Sequence, residues 1–255
     1  MKGLIAAGGN ATRLAELTRV TNKHLLPVGQ WPMIFYPLQL LQRVGVREVL
    51  LVTGKQHAGQ FIDLLGNGHV VARGGDELMF DVDLTYKVQV EAGGIAQVVG
   101  MARDFAGADK LVVCLGDNIF EHAHADAIGA WEDGAMVFAK DVPDPENFGV
   151  VVYGDDGGVV DIVEKAGVVD TRYDKPPSSD AIVGLYCFPP DVFDIIDGLE
   201  PSNRGELEIT DVNRVYAQSG RLKVHRVEGW WHDGGKHWAD LADVGRLIEE
   251  TGANK

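Results

Sequence analysis

Short apolar runs alternate with amphipathic stretches along the first half of the chain. Runs rich in Val and Leu are typical of strands whose two faces are both covered by other parts of a protein. The stretches between them carry apolar residues at helical spacing, and several end at a glycine. This alternation predicts parallel strands connected by helices. The predicted strands are 4–7, 48–53, 110–115 and 135–139, and the predicted helices are 33–44, 58–65 and 95–105.

The second half of the chain has more strands and more turns. Gly- and Asp-rich segments such as 154–158 separate its apolar runs, as is typical of turns between strands. These strands either extend the main sheet or form a small β subdomain. The predicted strands are 148–153, 159–163, 182–188 and 222–227, and the predicted helices are 191–199, 208–218 and 237–251. We therefore expect one α/β domain, residues 1–255, with a mostly parallel sheet flanked by helices and a small additional β-rich portion.

Composition and charge narrow the choice of partners. The formal net charge is −15, so the overall field of the protein opposes binding to nucleic acid or to an anionic membrane. Phosphates can still bind locally to a few cations, backbone N–H groups and a metal. Cys114 and Cys187 each lie in an apolar run, which indicates buried thiols. No apolar stretch approaches the ~18 residues of a membrane span and no signal-peptide pattern is present, so we expect a cytoplasmic protein.

A glycine turn follows the first predicted strand. Gly8 and Gly9 can turn the backbone tightly and bring N–H groups close to an anion, and Thr12, Arg13 and Lys23 add a hydroxyl and two cations. A Gly-Gly turn alone is a weak signal, because most such turns bind nothing. The segment lacks the Gly-Lys-Ser/Thr of a Walker loop and the three spaced glycines of a dinucleotide-binding turn. It is a candidate phosphate-binding segment that matches neither of these motifs.

A carboxylate follows the Val-rich strand that ends near residue 115. Asp117 would lie at the carboxyl edge of the parallel sheet, where α/β folds bind ligands. Mg²⁺ prefers oxygen ligands and takes one or two carboxylates together with phosphate oxygens and water. Asp is also common in turns, so a plain turn residue explains Asp117 equally well when it is considered alone.

The order of these residues resembles a known family, the sugar nucleotidyltransferases. Arg13, nine intervening residues and Lys23-His24-Leu25-Leu26-Pro27 resemble its signature, G-x-G-T-R-x9-K-x-L-L-P. Ala11 departs from that signature, which usually has glycine there. Other blocks that match the family are 86–89, 93–97, 115–118, 147–150, 164–165, 183–186, 204–211 and 231–233. Within the family, the chain is most similar to the glucose-1-phosphate thymidylyltransferases.

The resemblance implies a Rossmann-like α/β core and a Mg²⁺-dependent reaction. A nucleoside triphosphate, dTTP in this subgroup, and a sugar 1-phosphate, glucose 1-phosphate in this subgroup, would give a nucleotide sugar and pyrophosphate. Residues 1–140 would mainly bind the nucleotide and residues 141–255 mainly the sugar phosphate, in a homo-oligomer. By resemblance, the catalytic residues are Arg13, Lys23 and Lys165, the nucleotide-binding residues are Gly8, Gly9, Thr12, Arg13, Gln89 and Gly94, the sugar-phosphate-binding residues are Asn118, Gly149, Glu164, Lys165, Val183 and Arg204, and the metal ligands are Asp117 and Asp233.

The predicted sugar-phosphate side departs from the family pattern. The family's Glu-Lys-Pro is Glu164-Lys165-Ala166 in this chain, and the stretch 166–180 is longer than the resemblance leads us to expect. Considered alone, Glu164 and Lys165 would also fit an ordinary exposed ion pair, which usually contributes little to stability.

Three other functions compete with this prediction. The first is a related enzyme that uses UTP or another triphosphate, or another sugar; thymine and uracil differ by one methyl group, worth only about 1–3 kcal/mol. The second is a non-catalytic regulatory protein that binds nucleotide sugars, although Arg13, Lys23 and Asp117 are all present. The third, a dinucleotide-dependent oxidoreductase, is disfavoured because the first turn lacks the spaced glycines and an acidic residue about 20 positions later.

Overall fold

The structure is a computed structural model that describes residues 1–9, 14, 16–71, 78–234 and 238–255. Its strands are β1 (Lys2–Ala7), β2 (Pro27–Val28), β3 (Trp31–Pro32), β4 (Glu48–Gly54), β5 (His69–Val71), β6 (Leu78–Asp81), β7 (Asp83–Gln89), β8 (Leu111–Leu115), β9 (Asn118–Phe120), β10 (Ala135–Asp141), β11 (Gly149–Tyr153), β12 (Val159–Glu164), β13 (Asp180–Phe188), β14 (Leu222–Arg226) and β15 (Trp231–Asp233). Its helices are α1 (Phe35–Arg43), α2 (Ala58–Leu65), α3 (Ile95–Gly100), α4 (Arg103–Ala106), α5 (Ala125–Gly129), α6 (Val192–Asp197), α7 (Ile209–Gln218) and α8 (Trp238–Thr251). Within the described ranges, every helix is too short or too polar to cross a lipid bilayer.

The chain divides into two compact units, each built from separate stretches of sequence. The first unit contains Met1–Ala92, Val112–Gly129 and Glu228–Lys255. The second unit contains Gly93–Leu111 and Ala130–Val227. The expected division of labour near residue 140 stays a prediction.

Parallel strands form the centre of the first unit. β4 pairs in parallel with β1 on one side and with β7 on the other, so that Leu51 lies opposite Ile5 and Tyr86. The order of the strands is β8-β1-β4-β7. The consecutive residues 49–52 of β4 are all buried, which means that both faces of this strand are covered, as its apolar run predicts. These strands and the helices that connect them confirm the predicted α/β class.

Antiparallel pairs dominate the second unit. β13 pairs antiparallel with β10 and with β11, and β11 pairs antiparallel with β12, whereas β10 and β14 are parallel. All nine residues of β13 are buried, as its long apolar run predicts. Helix α7 packs on β12. This unit contains the additional β-rich portion that the turn-rich second half of the sequence predicts.

Two of the differences from the prediction have identifiable reasons. The predicted helix 95–105 is split into α3 and α4 after Gly100, where a Cβ would lie only 3.2 Å from Ile196 Cγ2 of α6. Glycine permits this close packing but weakens a helix. Strand β7 lies outside the predicted strands: its apolar residues alternate with polar ones, as in a half-exposed strand, and it lacks the continuous apolar run on which the strand predictions rest.

Candidate active site

An ion pair joins Lys23 to Asp117 in the first unit. Lys23 begins a short 3-10 turn and Asp117 follows β8. The Lys23 ammonium donates a hydrogen bond to Asp117 Oδ2, and the two side chains are only 18% and 15% exposed. Burial raises the pKa of Asp117, but the charge of Lys23 and the hydrogen bonds from Lys23 and Asn118 outweigh burial and keep this pKa below its usual range. Asp117 is therefore an ionised carboxylate at neutral pH.

His24 packs behind this ion pair as a neutral ring. The Asn22 side-chain oxygen accepts hydrogen bonds from the His24 backbone N–H at 3.0 Å and from His24 Nδ1 at 2.6 Å, while Asn22 Nδ2 donates to the Ala7 carbonyl at 3.4 Å. Burial lowers the pKa of His24 to about 3. A Cβ on Gly116 would lie 2.8 Å from His24 Cδ2. Glycine at position 116 therefore lets His24 pack directly against the backbone that leads into Asp117.

A short antiparallel pair brings Asp233 beside the backbone of Asp117. Strand β15 pairs with β9 so that Asp233 lies opposite Asn118. The Gly234 N–H donates to the Asp117 carbonyl at 2.8 Å, and Trp231 Nε1 donates to Asn118 Oδ1 at 2.6 Å. The two predicted metal ligands, which are far apart in the sequence, are thus neighbours in the first unit.

The oxygen donors at this place fit a small divalent cation. Asp117 and Asp233 offer carboxylate oxygens, the donors that Mg²⁺ prefers, and Mg²⁺ commonly completes its shell with substrate phosphates and water. No group of three or more His, Cys, Asp and Glu side chains able to hold a metal occurs in the part of the chain that the structure describes. A metal bound by Asp117 and Asp233 would take its remaining ligands from water or from a substrate phosphate.

Strand β9 is held from several sides. The Asn254 N–H donates to the Phe120 carbonyl at 2.8 Å, and Asn254 Nδ2 donates to the Tyr36 carbonyl of α1, also at 2.8 Å. Glu121, directly after β9, accepts a hydrogen bond from the Trp230 N–H at 3.0 Å. These contacts fix the strand that carries Asn118 and that pairs with β15.

A cavity of 460 Å³ lies at the predicted phosphate turn. Its lining includes Gly9, Asn22, Lys55 and Gln89. A Cβ on Gly8 would lie 2.8 Å from Gln89 Oε1, and Gly9 has a φ of +94°, in the region that favours glycine. The volume falls within the range of about 300–1,000 Å³ that is usual for small-molecule sites. The two glycines therefore serve a tight turn beside a cavity of ligand size.

Gly94 lies in the second unit at the start of α3. Its φ is +91°, and a Cβ would lie 2.3 Å from the Leu207 carbonyl oxygen, so no other residue fits without displacement of the backbone. The Leu207 N–H donates to the Gly93 carbonyl at 2.8 Å, and the Ala96 N–H donates to the Leu207 carbonyl at 3.2 Å. Close packing against Leu207 accounts for the glycine, and the predicted contact of Gly94 with a nucleotide base stays a prediction.

Glu164, Lys165 and Gly149 form a cluster in the second unit. Thr210 Oγ1 at the start of α7 donates to Glu164 Oε2 at 2.5 Å, and Lys165 Nζ lies 3.6 Å from Glu164 Oε1. A Cβ on Gly149 would lie 3.0 Å from Thr210 Oγ1 and 3.1 Å from Glu164 Oε2. The absence of a side chain at position 149 leaves room for the carboxylate and the hydroxyl. Val183 is a buried residue of β13 in the same unit.

Arg204 forms a bidentate ion pair at the edge of this cluster. Its Nη2 donates to Glu208 Oε1 at 2.9 Å and to Oε2 at 2.8 Å, and the same Nη2 lies 3.8 Å from Glu164 Oε1. Burial lowers the pKa of Arg204, but its hydrogen bonds and ion pair with Glu208 outweigh burial and raise the pKa above its usual value. Arg204 is therefore a fixed cation near Glu164.

The predicted site residues are divided between the two units. The first unit contains Gly8, Gly9, Lys23, Gln89, Asp117, Asn118 and Asp233, and the second contains Gly94, Gly149, Glu164, Lys165, Val183 and Arg204. Thr12 and Arg13 lie outside the described residues. The sequence did not single out Asn22, although Asn directly before a helical turn is a common cap, nor did it single out Thr210, whose contact with Glu164 spans distant parts of the chain.

Comparison with known proteins identifies the family. A family model described as nucleotidyl transferase matches residues 2–251. A glucose-1-phosphate thymidylyltransferase of Xanthomonas campestris pv. campestris is 40% identical over 254 residues, which are 97% of this chain and 80% of that protein. A low-salt glycan biosynthesis nucleotidyltransferase of Haloferax volcanii is 36% identical over 254 residues, 98% of this chain and 66% of that protein.

Solved structures give the same result. A Bacillus anthracis protein assigned as a glucose-1-phosphate thymidylyltransferase, in complex with sucrose, superimposes with a TM-score of 0.85 at 40% identity, over 98% of this chain and 96% of that one. A UDP-glucose pyrophosphorylase in complex with UDP-glucose superimposes with a TM-score of 0.83 but is only 21% identical. This likeness shows only that the two proteins share a fold. The resemblance stated from the motifs is thereby confirmed, and the chain belongs to the nucleotidyl transferase family.

Proposed function

We propose that this protein is a Mg²⁺-dependent glucose-1-phosphate thymidylyltransferase, which converts dTTP and glucose 1-phosphate into dTDP-glucose and pyrophosphate. One observation supports it above the others: β9 and β15 pair so that Asp233 lies beside Asp117, which in turn contacts Lys23. A cation and two carboxylates at one place are what a metal and a triphosphate require. The choice of dTTP and glucose 1-phosphate follows the names of the relatives that are 36–40% identical.

The first unit supplies the groups for the triphosphate in this proposal. The Gly8-Gly9 turn offers backbone N–H groups, and Lys23 offers a partly buried positive charge. Arg13 and Thr12 keep their predicted roles on the phosphates. Asp117 and Asp233 would hold Mg²⁺, which when bound neutralises negative charge on phosphate oxygens. Gln89 borders the cavity beside the turn and is assigned to the pyrimidine edge. Gly94 belongs to the second unit, and its contact with the base stays a prediction.

The second unit supplies the groups for the sugar phosphate. Lys165 is assigned to the phosphate and Glu164 to sugar hydroxyl groups, since an ionised carboxylate accepts several hydrogen bonds. Gly149 and Val183 would contribute backbone groups, and Arg204 a second cation. Asn118, a residue of the first unit, keeps its predicted role on the sugar phosphate, and it also donates a hydrogen bond to Asp117 Oδ1 at 2.9 Å.

The reaction requires positioning and charge more than it requires proton transfer. The nucleophile is a phosphate monoester oxygen, which is mostly ionised at neutral pH because its second pKa is about 6. This oxygen attacks the α-phosphorus in line, a new P–O bond forms, and the bond to the bridging oxygen breaks as pyrophosphate leaves. Lys23 and Arg13 would stabilise the charge on the leaving group. No general base is needed, and the ionised Asp117 has no proton to donate at neutral pH.

A turnover screen tests the proposal. Purified protein is given dTTP, UTP, CTP, GTP or ATP with several sugar 1-phosphates and Mg²⁺, and pyrophosphate release and the nucleotide sugar are measured. We expect dTTP with glucose 1-phosphate to give the highest kcat/KM. UTP is the nearest competitor, because uracil lacks only the methyl group of thymine. One methyl group changes the free energy of binding by only about 1–3 kcal/mol.

Two variants make the screen specific for the site. Asp117→Asn should abolish turnover, whereas Asp126→Asn, a change of an exposed Asp in α5, should leave it intact. A wild-type protein that releases no pyrophosphate with any pair, above a reaction containing EDTA, would contradict the proposal and favour a protein that only binds nucleotide sugars. The same preparations allow the expected homo-oligomer to be tested by sedimentation.

A further inference from the structure

Lys165 begins a tight turn that an uncommon backbone conformation makes possible. Its φ is +42°, in the left-handed region that side chains other than glycine seldom adopt. The N–H groups of Val168 and Val169 donate to the Lys165 carbonyl at 2.9 and 3.0 Å, and the Asp170 N–H donates to the Glu164 carbonyl at 3.0 Å. The direction of the Lys165 side chain therefore depends on a turn that closes at Asp170.

Two arginines hold the Asp170 side chain at the end of this turn. Arg214 Nη2 donates to Asp170 Oδ2 at 3.0 Å, and Arg214 Nε donates to Asp161 Oδ1 of β12 at 3.1 Å. Arg172 Nη2 donates to Asp170 Oδ2 at 2.6 Å, and Arg172 Nη1 donates to Asp161 Oδ2 at 2.8 Å. The side chains of Asp170 and Asp161 are only 8% and 12% exposed. Water therefore screens these ion pairs much less than it screens ion pairs on the surface.

One face of α7 contacts both ends of the turn. Thr210 and Arg214 are four residues apart, which places them on the same side of the helix. Thr210 donates to Glu164 at the start of the turn, and Arg214 contacts Asp170 at its end. Arg214 also donates to the Ile162 carbonyl at 3.0 Å, which fixes its guanidinium against β12.

This arrangement stands where the family pattern has a proline. The proline that follows the lysine in the family restricts its own φ and the conformation of the residue before it. Ala166 lacks that restriction and is instead buried against Val150 and Val163. In this chain the turn is instead closed by the hydrogen bonds to the Lys165 and Glu164 carbonyls and by the ion pairs of Asp170.

We propose that Arg214 and Asp170 are positioning residues that hold the Lys165 turn in the conformation that binds the phosphate of the sugar 1-phosphate. This role rests on the function proposed above. Neither residue is assigned to substrate, so each acts through Lys165 and Glu164. The role predicts a specific kinetic signature. A misplaced Lys165 weakens the binding of the sugar 1-phosphate, whereas the residues of the first unit that bind the triphosphate are unchanged.

The first test separates the two substrates. Asp170→Asn keeps the shape of the side chain and removes its charge, and Arg214→Gln removes the other partner. We expect either variant to raise the KM for glucose 1-phosphate about tenfold or more and to change the KM for dTTP less than about twofold. The double variant should raise this KM by less than the two single effects combined, since both changes remove the shared Arg214–Asp170 ion pair.

The second test measures the turn without any turnover. Trypsin cleaves after Lys165 and Arg172, and cleavage of the folded protein reports how often the turn opens. We expect mass spectrometry to show faster cleavage at these two bonds in Asp170→Asn than in the wild type. The matched control is Arg221→Gln, which removes an ion pair of 2.6 Å with Asp191 elsewhere in the second unit and should change neither cleavage nor either KM.

The outcomes distinguish this role from the proposed function. A wild-type protein that turns over while both variants keep the wild-type KM for glucose 1-phosphate overturns the positioning role alone. An equal rise in both KM values, or an equal effect of Arg221→Gln, shows a merely structural contribution and also overturns it. A wild-type protein without turnover and without affinity for glucose 1-phosphate overturns the proposed function, and the tryptic pattern then still reports whether Asp170 closes the turn.

Discussion

Replacing Gly116 with alanine is the sharpest test of how the first unit builds its charged pair. The added Cβ would lie 2.8 Å from His24 Cδ2 and 3.1 Å from the Ala6 carbonyl oxygen, whereas carbon atoms in contact prefer about 3.5–4.0 Å. One of the groups must therefore move by roughly 0.7 Å or more. His24 is buried and hydrogen-bonded to Asn22, so it has little room to withdraw.

The cost of this substitution follows from the packing. Overfilling a buried site typically costs about 1–3 kcal/mol of stability, and we expect the free energy of unfolding of Gly116→Ala to fall by that amount. The displaced groups are the direct neighbours of Lys23 and Asp117. A shift near 1 Å at a reacting centre can lower rates about 100-fold, so we expect kcat/KM to fall by about that factor.

Urea unfolding and steady-state pyrophosphate release measure the two effects. The matched control is Gly59→Ala, because a Cβ at position 59 meets no atom within 4 Å and alanine favours the helix that contains it. The double variant His24→Ala with Gly116→Ala relieves the clash and should recover part of the stability lost in Gly116→Ala. A Gly116→Ala protein with unchanged stability and a kcat/KM within twofold of wild type would refute the packing argument.

Three further predictions concern the same unit. Lys23→Met removes a charge beside Asp117 and should lower kcat/KM by about 100-fold or more; a loss below tenfold contradicts its role. Trp231→Phe deletes the donor to Asn118 Oδ1 and should raise the Mg²⁺ concentration for half-maximal activity about tenfold, and an unchanged Mg²⁺ titration would argue against this support. Burial lowers the pKa of His24 to about 3, whereas the pKa in the unfolded chain is about 6.5. Below about pH 6.5 the unfolded chain therefore binds a proton on His24 that the folded protein does not bind, and the free energy of unfolding falls as the pH drops. Urea titrations should show a loss of about 2 kcal/mol between pH 7 and pH 5 that is absent in His24→Gln, and an equal loss in that variant would exclude His24 as its source.

Elements buried on both faces could be predicted from their continuous apolar runs, and very short ones could not. β4 is buried from Val49 to Thr53 and β13 is buried along its whole length, so each strand contains a long apolar run. β7 has no such run, but its alternating polar and apolar residues have the period of a half-exposed strand, so this strand could have been recognised from that pattern. β9 and β15 have three residues each, too few for a period to be recognised, and their pairing depends on a partner that local sequence does not reveal.

In the candidate site, too, some features could be predicted from the sequence and others could not. Lys23, Asp117 and Asp233 could be chosen because they lie in ordered motifs that resemble a family. The packing of His24 against Gly116 could not, since nothing in the spacing of those residues indicates that a ring and a glycine meet. The ion pairs of Arg214 were also hidden, because its acidic partners Asp161 and Asp170 are 53 and 44 residues away along the chain.

The pairing of β9 with β15 joins two parts of the first unit that are made at different times during synthesis. Synthesis proceeds from the N-terminus, so Asp117 leaves the ribosome more than a hundred residues before Asp233. The long continuous stretch of the second unit, Ala130–Val227, lies between them in the sequence. Closing so long a loop is entropically costly until the intervening chain has folded. In a growing chain, Lys23 and Asp117 are therefore made long before Asp233, and β9 can gain its partner strand only after the whole of Ala130–Val227 has been made.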